Sequence, residues 1–423
     1  MLERYFIRPT TVDRIRAAWL GEPIEQYVRW LHEHGYAARN VAVRVPLLVK
    51  FGEFAQARGA ISFDQLPDYV DAFVAAWVPD HSHWCRSEAD RRCAANAARG
   101  PVEQLLQLMS PDYAERLQSR RRPPEPFTER AAGFFDYLRE ERGLRRATVE
   151  HHASILRHFE QYLQRIGLED LSDLSPPILS AFIADRRARL GTRTLLDVAS
   201  VLRIFLAFLY RERLIATDLG CSVEAPQRRR LANLPRSISW ADVQKVLDGV
   251  DRRSPVGKRD YAVLLLMVTY GLRAREIAAL TLGCIDWKRQ RLLVAERKAG
   301  HTTAYPLSAM VGEAIIDYLQ YARPTTDSRA LFFQVVAPYR PLTWWSVSQQ
   351  TARHLRKAGI RVPRAGSHTL RHTCAQRLID AEFPLKTIGD YLGHRSAEAT
   401  EVYSKVRIEA LREVALGDGE TVL

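Results

Sequence analysis

Apolar residues recur at every third or fourth position over most of the chain, which is the period of an amphipathic α-helix. The clearest stripes lie between Thr128 and Val223. They are formed by Phe134 and Leu138, by Ile155, Phe159, Tyr162 and Leu163, and by Leu195, Val198, Val201, Leu202, Phe205, Phe208 and Leu209. This spacing predicts a compact bundle of about four helices with a shared core. Thr128 and Thr148 precede two of the stripes and are candidate helix N-caps.

The region after Ser237 has a different pattern. A serine-capped helical stripe is followed by a long apolar helix at Tyr261–Thr269. Apolar and polar residues then alternate on both sides of a turn around Lys298, which predicts a short β-hairpin. Helical periodicity resumes from Ala309. The expected fold class is therefore mainly α, with a mixed, mostly α domain that contains a small antiparallel β-sheet.

The region before Thr128 echoes the first half of the helical bundle. Four of its residues lie at one constant offset from four residues of the same type in the bundle. The pairs are Gly35 and Gly143, Leu48 and Leu156, Phe51 and Phe159, and Gly59 and Gly167. They indicate either a degenerate helical repeat or chance agreement between two amphipathic segments.

Two stretches rich in proline and arginine interrupt the helical pattern. The basic residues are Arg120, Arg121 and Arg122 in the first stretch, and Arg228, Arg229 and Arg230 in the second. Each is interpreted either as an extended basic linker that contacts DNA or as a solvated hinge.

Composition narrows the class of partner. The 423 residues carry a formal net charge of +13, and the hydrophobic share of 47% argues against general disorder. This balance favours a polyanionic partner, with nucleic acid preferred over a membrane surface. The longest apolar run is shorter than the ~20 residues that cross a bilayer, and no secretory signal is visible at the start. The expectation is therefore a cytoplasmic, nucleoid-associated protein that does not contact membranes.

The cysteines and the lack of a nucleotide-binding motif exclude further classes of protein. The five cysteines are scattered, which favours a reducing compartment over a disulfide framework. No P-loop motif occurs, so a nucleotide-driven motor is not expected. Four residues, His81, His83, Cys85 and Cys93, form a cluster that could bind a structural zinc ion, although their spacing is not that of a standard finger.

Chemistry-bearing residues concentrate in the last domain. Arg273 follows a Tyr-Gly pair that ends a predicted helix, and Glu276 lies one helical turn further on. The Glu276 carboxylate could hold the Arg273 guanidinium in one orientation, which suits recognition of two phosphate oxygens. Lys298 lies in the predicted hairpin turn, and His368 and Arg371 share one helical face. Taken singly, each of these residues is better explained as an ordinary surface or packing residue.

A last cluster follows near the end of the chain. Leu392-Gly393 ends a predicted helix, His394 comes next, and Tyr403 follows nine positions later. In this order, the arginine, lysine, histidine–arginine pair, histidine and tyrosine point to one phosphate-directed site.

The pattern resembles the tyrosine recombinase (phage integrase) family from Thr128 to about Lys405. The residues that carry the resemblance stand in YGLRAREIAAL, RKAGHTTAYPL, HTLRH and LGH. By this resemblance, the catalytic residues are Arg273, Lys298, His368, Arg371, His394 and Tyr403.

The resemblance implies a specific chemistry. Tyr403 would attack a phosphodiester to give a 3′-phosphotyrosyl link and a free 5′-hydroxyl, and no metal or ATP would be required. Arg273 and Arg371 would stabilise the transition state, and His368 would assist deprotonation of the tyrosine. Lys298 would protonate the leaving group, and His394 would hydrogen-bond the phosphate.

The family also implies partners and a setting. The partner would be double-stranded DNA, and a homo-tetramer would bind two DNA sites. Other recombinases would be a further class of partner. A mobile element is the expected setting. Ile408, Leu411 and Val414 form a stripe after the tyrosine that would dock on a neighbouring subunit or on its own domain. Two alternatives stay open, a type IB topoisomerase-like enzyme and a catalytically silent DNA-binding accessory protein.

The expected domain order has six parts. They are an N-terminal helical extension (1–120), a basic linker (121–127), a core-binding, SAM-like helical domain (128–224), a second linker (225–237), a catalytic domain (238–410) and a tail (411–423).

Overall fold

The computed structural model describes residues 1–81, 87–121, 123–225, 237–295, 302–363 and 365–393, with residues 80, 81 and 118–121 described by their backbone alone. The chain divides into two compact units, one formed by residues 1–111 and 233–423 and the other by residues 112–232. The fold is mainly α with one small antiparallel sheet, as the sequence predicts.

The N-terminal helices form a bundle of their own within the first unit. After a short 3₁₀ turn, the helices are α1 (Pro9–Ala17), α2 (Gly21–Glu33), α3 (Ala38–Gln56), α4 (Leu66–His81) and α5 (Glu88–Met109). Helix α2 turns an apolar face inward, where Ile24, Tyr27, Val28 and Leu31 are fully buried. We refer to residues 1–111 as the N-terminal bundle.

The second unit is a helical bundle around a core of phenylalanines and leucines. Its elements are α6 (Pro111–Arg121), α7 (Phe134–Asp136) continued by a π-helix to Glu141, α8 (Arg146–Arg165), α9 (Pro176–Arg187) and α10 (Thr192–Arg211). The predicted stripe on α10 is buried over its whole length. Helix α6 belongs to this unit, although its sequence lies within the expected N-terminal extension. We refer to residues 128–224 as the core bundle.

The two predicted helix caps in the core bundle are wrong. Helix α8 begins after Arg145, so Thr148 lies inside the first turn, and no side chain caps this end. Thr128 lies in a turn, where its hydroxyl donates to the Glu125 carbonyl at 2.6 Å. The chain enters α7 through Gly133, whose positive φ of 83° suits glycine.

The sequence echo between the two bundles is present in three dimensions. Helices α3 and α8 begin at Ala38 and Arg146, and 3₁₀ turns follow them at Phe63–Gln65 and Leu171–Asp173, so both pairs are 108 positions apart. The four glycines of the echo all adopt positive φ. The N-terminal bundle therefore repeats the layout of the core bundle across this stretch.

The rest of the first unit surrounds one buried helix. After α11 (Trp240–Asp248), helix α12 (Pro255–Tyr270) is buried on nearly all sides, as expected for the central helix of a core. The hydroxyl of Ser254 caps its start, and Gly271 ends it in the left-handed conformation. A short helix, α13 (Ala274–Ala278), follows directly.

The sheet has three antiparallel strands rather than the predicted two. They are β1 (Ile285–Asp286), β2 (Arg291–Val294) and β3 (Thr303–Pro306), in the order β1-β2-β3. The register pairs Leu292 with Tyr305 and Val294 with Thr303, so the segment that carries Lys298 joins β2 to β3. Two residues are too few for strand β1 to produce an alternating pattern.

Among the described residues, four further helices belong to this region: α14 (Ala309–Tyr321), α15 (Trp344–Lys357), α16 (Ser367–Asp380) and α17 (Leu385–Leu392). Gly366 occupies the cap position of α16, which places Ser367 at its first helical residue. Among the described residues, no helix combines the length and the apolar character that crossing a membrane requires.

Gly271 combines a left-handed backbone with close packing, so its replacement is expected to be destabilising. Its φ is +61°, and a Cβ added there would lie 2.5 Å from Cδ2 of Leu392. We predict that Gly271→Ala lowers the free energy of unfolding by about 2–4 kcal/mol, from left-handed strain together with steric overlap. Urea denaturation of the full-length protein measures this loss.

Gly359→Ala is the matched control. Gly359 also has positive φ, but the nearest atom to an added Cβ is 4.0 Å away, on the flexible Lys245 side chain. We expect a loss of about 1–2 kcal/mol from backbone strain alone. Equal losses in the two variants would contradict the packing role of Gly271.

Candidate active site

Arg371 joins the ends of two helices. Its side chain projects from α16 and is buried, with 3% of the residue exposed. Nη1 donates to the Gly271 carbonyl at the end of α12, and Nη2 donates to the Leu392 carbonyl at the end of α17, at 2.6 Å. Carbonyls in the last turn of a helix have no hydrogen-bond partner within the helix. One guanidinium can therefore donate a hydrogen bond to a carbonyl at the end of each of the two helices. Arg371 thereby fixes the distance between α12 and α17.

Arg273 is held in a fork by Glu276. Arg273 occupies the cap position of α13, where its backbone N–H donates to Glu276 Oε2 and its Nη1 donates to Glu276 Oε1, both at 2.8 Å. Its Nη2 donates to the Gly393 carbonyl at 3.2 Å. The Glu276 side chain is 8% exposed and that of Arg273 is 24% exposed. The guanidinium is therefore fixed in direction while part of its surface faces solvent.

Three successive carbonyls at the end of α17 accept hydrogen bonds from three different parts of the chain. The Tyr391 carbonyl accepts from the Tyr305 hydroxyl on β3, the Leu392 carbonyl from Arg371, and the Gly393 carbonyl from Arg273. The next residue in the sequence is His394. The two arginines that the motifs single out therefore meet at one place, directly before the predicted histidine.

Tyrosines surround this helix end, and the sequence analysis missed them. Tyr305 lies 5.1 Å between ring centroids from both Tyr270 and Tyr391. The Tyr391 hydroxyl donates to the Thr269 carbonyl at 2.8 Å, and the Tyr270 hydroxyl donates to the Pro306 carbonyl at 2.9 Å. These contacts fasten the end of α12, strand β3 and the end of α17 to one another. Tyr270 directly precedes the motif glycine Gly271, and Tyr391 directly precedes the Leu392-Gly393 pair, so their positions next to the motifs were the available signal.

Two histidines on α16 flank Arg371. The rings of His368 and His372 lie 6.3 Å apart. Partial burial of the ring lowers the pKa of His368, and the positive charges of Arg371 and Arg273 lower it further. Burial, together with His368 and Arg371, lowers the pKa of His372 to about 4. Both imidazoles are therefore neutral at pH 7, and His368, the more exposed of the two, can accept a proton.

The remaining predicted site residues lie wholly or partly outside the described residues. Lys298, His394 and Tyr403 lie outside, as do Arg122, Arg228, Arg229 and Arg230. Arg120 and Arg121 form the last turn of α6, and only their backbone is described. The structure therefore brings together Arg273, His368 and Arg371 from the predicted catalytic set.

The zinc cluster is likewise mostly outside the described part of the chain. His83 and Cys85 are outside it, the side chain of His81 is not described, and Cys93 lies exposed on α5. No group of three or more metal-ligating side chains occurs among the described residues. The zinc hypothesis stays a prediction.

The lowered pKa of His372 predicts a pH-dependent stability. Between about pH 6.5 and pH 4, His372 binds a proton in the unfolded chain but stays neutral in the folded protein. The free energy of unfolding should therefore fall as pH falls through this window. The contribution of His372 is at most about 3 kcal/mol. Urea denaturation at a series of pH values measures it, and His372→Gln should flatten the profile.

The exposed His158 provides the control for this experiment. His158→Gln should keep the wild-type dependence on pH. A steep profile that persists in His372→Gln would assign the effect to another group.

Comparison with known sequences identifies two matching segments. Residues 236–409 match the profile described as the phage integrase family, and residues 131–213 match the phage integrase N-terminal SAM-like domain. A Sinorhizobium fredii protein designated integrase/recombinase y4rF is 31% identical over 98% of this chain and 95% of its own length. A second protein of that organism, designated integrase/recombinase y4rA, is 34% identical over 69% of this chain and 71% of its own length.

Solved structures of the same fold include two that contain DNA. The XerH site-specific recombinase bound to a palindromic difH substrate has a TM-score of 0.55 and 17% identity, covering 82% of this chain and 94% of that chain. A lambda integrase dimer bound to a COC′ core site has a TM-score of 0.51 and 19% identity, covering 64% of this chain and 92% of that chain. The two matched segments and a relative similar over nearly the whole length agree, and the chain belongs to the tyrosine recombinase (phage integrase) family of DNA-cleaving and rejoining enzymes.

Proposed function

We propose that this protein is a site-specific recombinase that cuts and rejoins double-stranded DNA through Tyr403. The observation that carries the proposal is the convergence of Arg273 and Arg371 on the end of α17. These arginines are 98 positions apart in the sequence, yet they bind adjacent carbonyls ten and eleven residues before the tyrosine. A nucleophile on the following segment would be delivered next to two fixed cations, which is the setting that a phosphodiester requires.

The DNA substrate is supported by charge and by the solved relatives. The chain carries a net charge of +13, while the N-terminal and core bundles contain nearly balanced charges, so the excess lies chiefly outside them. XerH was solved bound to a palindromic difH substrate, and lambda integrase was solved bound to a COC′ core site. Phosphate contacts would dominate affinity, so binding should weaken steeply with added salt.

The proposed strand cleavage is a transesterification. The Tyr403 Oη attacks the phosphorus, its proton leaves, and a 3′-phosphotyrosyl ester forms as the bond between phosphorus and O5′ breaks. Lys298 would give a proton to O5′, and His394 would donate a hydrogen bond to the phosphate. A 5′-hydroxyl from another strand then reverses the step. The ester conserves the bond energy, so neither ATP nor a metal ion is needed for this chemistry.

The described residues have complementary roles in this step. Arg273 faces the phosphate with part of its guanidinium and offers N–H donors beyond those used by Glu276 and Gly393. Arg371 adds positive charge and holds α12 and α17 together. His368, neutral because of its lowered pKa, would take the proton from Tyr403, whose ordinary pKa of about 10 would fall beside two arginines.

We extend the proposal to assembly and setting. Recombination between two DNA sites needs four strand exchanges, which a homo-tetramer with one tyrosine per subunit supplies. The tail stripe of Ile408, Leu411 and Val414 would connect neighbouring subunits. The N-terminal bundle extends beyond the two matched domains, which favours a mobile element over housekeeping recombination. Such an enzyme would work in the cytoplasm, on the nucleoid.

Covalent capture tests the nucleophile. The protein is incubated with fragmented DNA from its own locus and denatured, and the DNA that stays attached to it is sequenced. We expect attached DNA that begins at one site with wild-type protein and none with Tyr403→Phe. Attachment that survives Tyr403→Phe would assign another nucleophile. DNA binding without attachment in the wild type would favour the accessory-protein reading.

Replacing Glu276 tests whether orientation of Arg273 matters for cleavage. In Glu276→Gln the side chain keeps its size but loses the charge that holds the guanidinium fork. We expect the rate of strand cleavage to fall about 10–100-fold, corresponding to about 1.4–2.7 kcal/mol of barrier, with DNA affinity changed less than about twofold.

Glu313→Gln is the matched control, because Glu313 is exposed on α14. Its cleavage rate should equal that of the wild type. Equal rates in Glu276→Gln and wild type would show that Arg273 needs no carboxylate to act.

A further inference from the structure

We propose that the N-terminal bundle is a second DNA-binding module, built on the same plan as the core bundle, and that it contacts the phosphate backbone through the exposed face of α3. The proposal rests on the proposed function, since it adds a contact to the same DNA.

The repeat extends to the buried side chains of α3 and α8. Residues 108 positions apart are buried in both helices at six core positions. The pairs are Val41 and Val149, Val45 and Ala153, Leu47 and Ile155, Leu48 and Leu156, Phe51 and Phe159, and Ala55 and Leu163. Burial at matched positions is what a common packing arrangement requires.

Backbone geometry at the ends of the two helices is also the same. The residues before them, Ala37 and Arg145, have φ and ψ of −62° and 145° and of −63° and 143°. At the other end, the N–H of Gly59 donates to the Gln56 carbonyl at 3.0 Å, and that of Gly167 to the Gln164 carbonyl at 3.1 Å. The two helices therefore begin and end in the same way.

An aromatic cluster is repeated beside each helix. In the N-terminal bundle, Phe73 of α4 lies 5.2 Å from Phe51 and 5.4 Å from Phe54 between ring centroids. In the core bundle, Phe182 of α9 is the central ring.

The matching distances from Phe182 are 4.9 Å to Phe159 and 5.3 Å to Tyr162. An arginine covers the outer ring in both bundles, Arg58 over Phe54 at 3.6 Å and Arg165 over Tyr162 at 5.3 Å. The two bundles agree in backbone geometry, buried core positions and aromatic packing. Chance therefore does not explain the sequence repeat between them.

The exposed face of α3 is cationic. Residues at alternating spacings of four and three form this stripe, which contains one acidic side chain. They are Arg39, Val43, Pro46, Lys50 and Glu53. The equivalent stripe on α8 contains no acidic residue and consists of Ala147, His151, Ser154, His158 and Gln161.

In the described part of the chain, some cations of the N-terminal bundle are neutralised by carboxylates, whereas two on α3 are not. Arg16, Arg92 and Arg99 are neutralised by carboxylates on their own or neighbouring elements. Within the described residues, Arg39 and Lys50 form no ion pair, and the Lys50 ammonium lies over the Trp77 ring at 5.2 Å. The exposed face of α3 thus carries two cations that no described carboxylate neutralises, and such cations are available to bind phosphate.

The spacing of these cations fits a duplex. Arg39 and Lys50 are eleven residues apart on one helix, which places them about 16 Å apart along its axis. This span allows contact with phosphates on both sides of a major groove about 12 Å wide. Val43, which is 66% exposed, lies between them. We therefore assign α3 to duplex DNA rather than to a protein partner.

The test uses full-length protein carrying Tyr403→Phe, so that binding is measured without covalent attachment. A fluorescent duplex of about 60 base pairs from the captured locus is titrated at several salt concentrations. Arg39→Glu with Lys50→Glu should weaken binding at least about tenfold and reduce the slope of log K against log salt by about 2. Arg39→Gln with Lys50→Gln should change both quantities in the same direction, by less.

Arg14→Glu with Arg29→Glu is the matched control, because it makes the same charge change at exposed positions of α1 and α2. We expect less than about a threefold change in affinity and an unchanged slope. Equal effects of the two double variants, or none from the α3 pair, would overturn the proposal. A changed oligomeric state on DNA with unchanged affinity would overturn it in favour of a protein interface.

Two measurements separate this proposal from the proposed function. Circular dichroism shows whether each variant keeps its helices, and the glutamine pair retains the test if the glutamate pair unfolds. The nucleophile is tested by covalent capture with protein whose α3 is unaltered. If Tyr403 proves not to be the nucleophile, the binding titrations still test the role of α3.

Discussion

The buried guanidinium of Arg371 is the interaction on which the candidate active site depends. A buried cation loses its hydration, and that cost is recovered only if its N–H groups meet well-placed acceptors. The acceptors here are the Gly271 and Leu392 carbonyls, the ends of helices that carry negative partial charge. A lysine could not replace it, because one ammonium on a flexible stem cannot reproduce a planar fork between two fixed carbonyls.

This arrangement makes the candidate catalytic groups part of the fold rather than additions to it. Arg273 follows the helix end that Arg371 binds, and it in turn binds Gly393. The hydroxyl of Tyr305 connects the sheet to the same helix end. Contacts of this kind act as one network, so the loss of a single member displaces the others. A site held in this way is preorganised, which lowers the reorganisation needed when phosphate arrives.

Much of the fold and part of the site could be predicted from the sequence. Helical stripes predicted the core bundle, alternation predicted the hairpin, and two short motifs assigned Arg273 and His368 to one candidate site. Contacts to backbone carbonyls could not be predicted, because every residue has a carbonyl and only the fold decides which ones are unpaired. The hydroxyl of Tyr305 was missed for this reason, since its acceptor, the Tyr391 carbonyl, is distant in sequence.

The repeat between α3 and α8 also bears on how the chain folds. Two bundles of the same layout in one polypeptide can exchange equivalent helices while both are still unfolded, and such misassembly is a characteristic failure of tandem domains. Divergence of the two cores counteracts it, since each helix then packs poorly in the other bundle. Ala55 stands where the core bundle has Leu163, and α3 contains Pro46 where α8 has Ser154. Sequence divergence between the two bundles therefore disfavours misassembly, because it makes each helix specific for its own bundle.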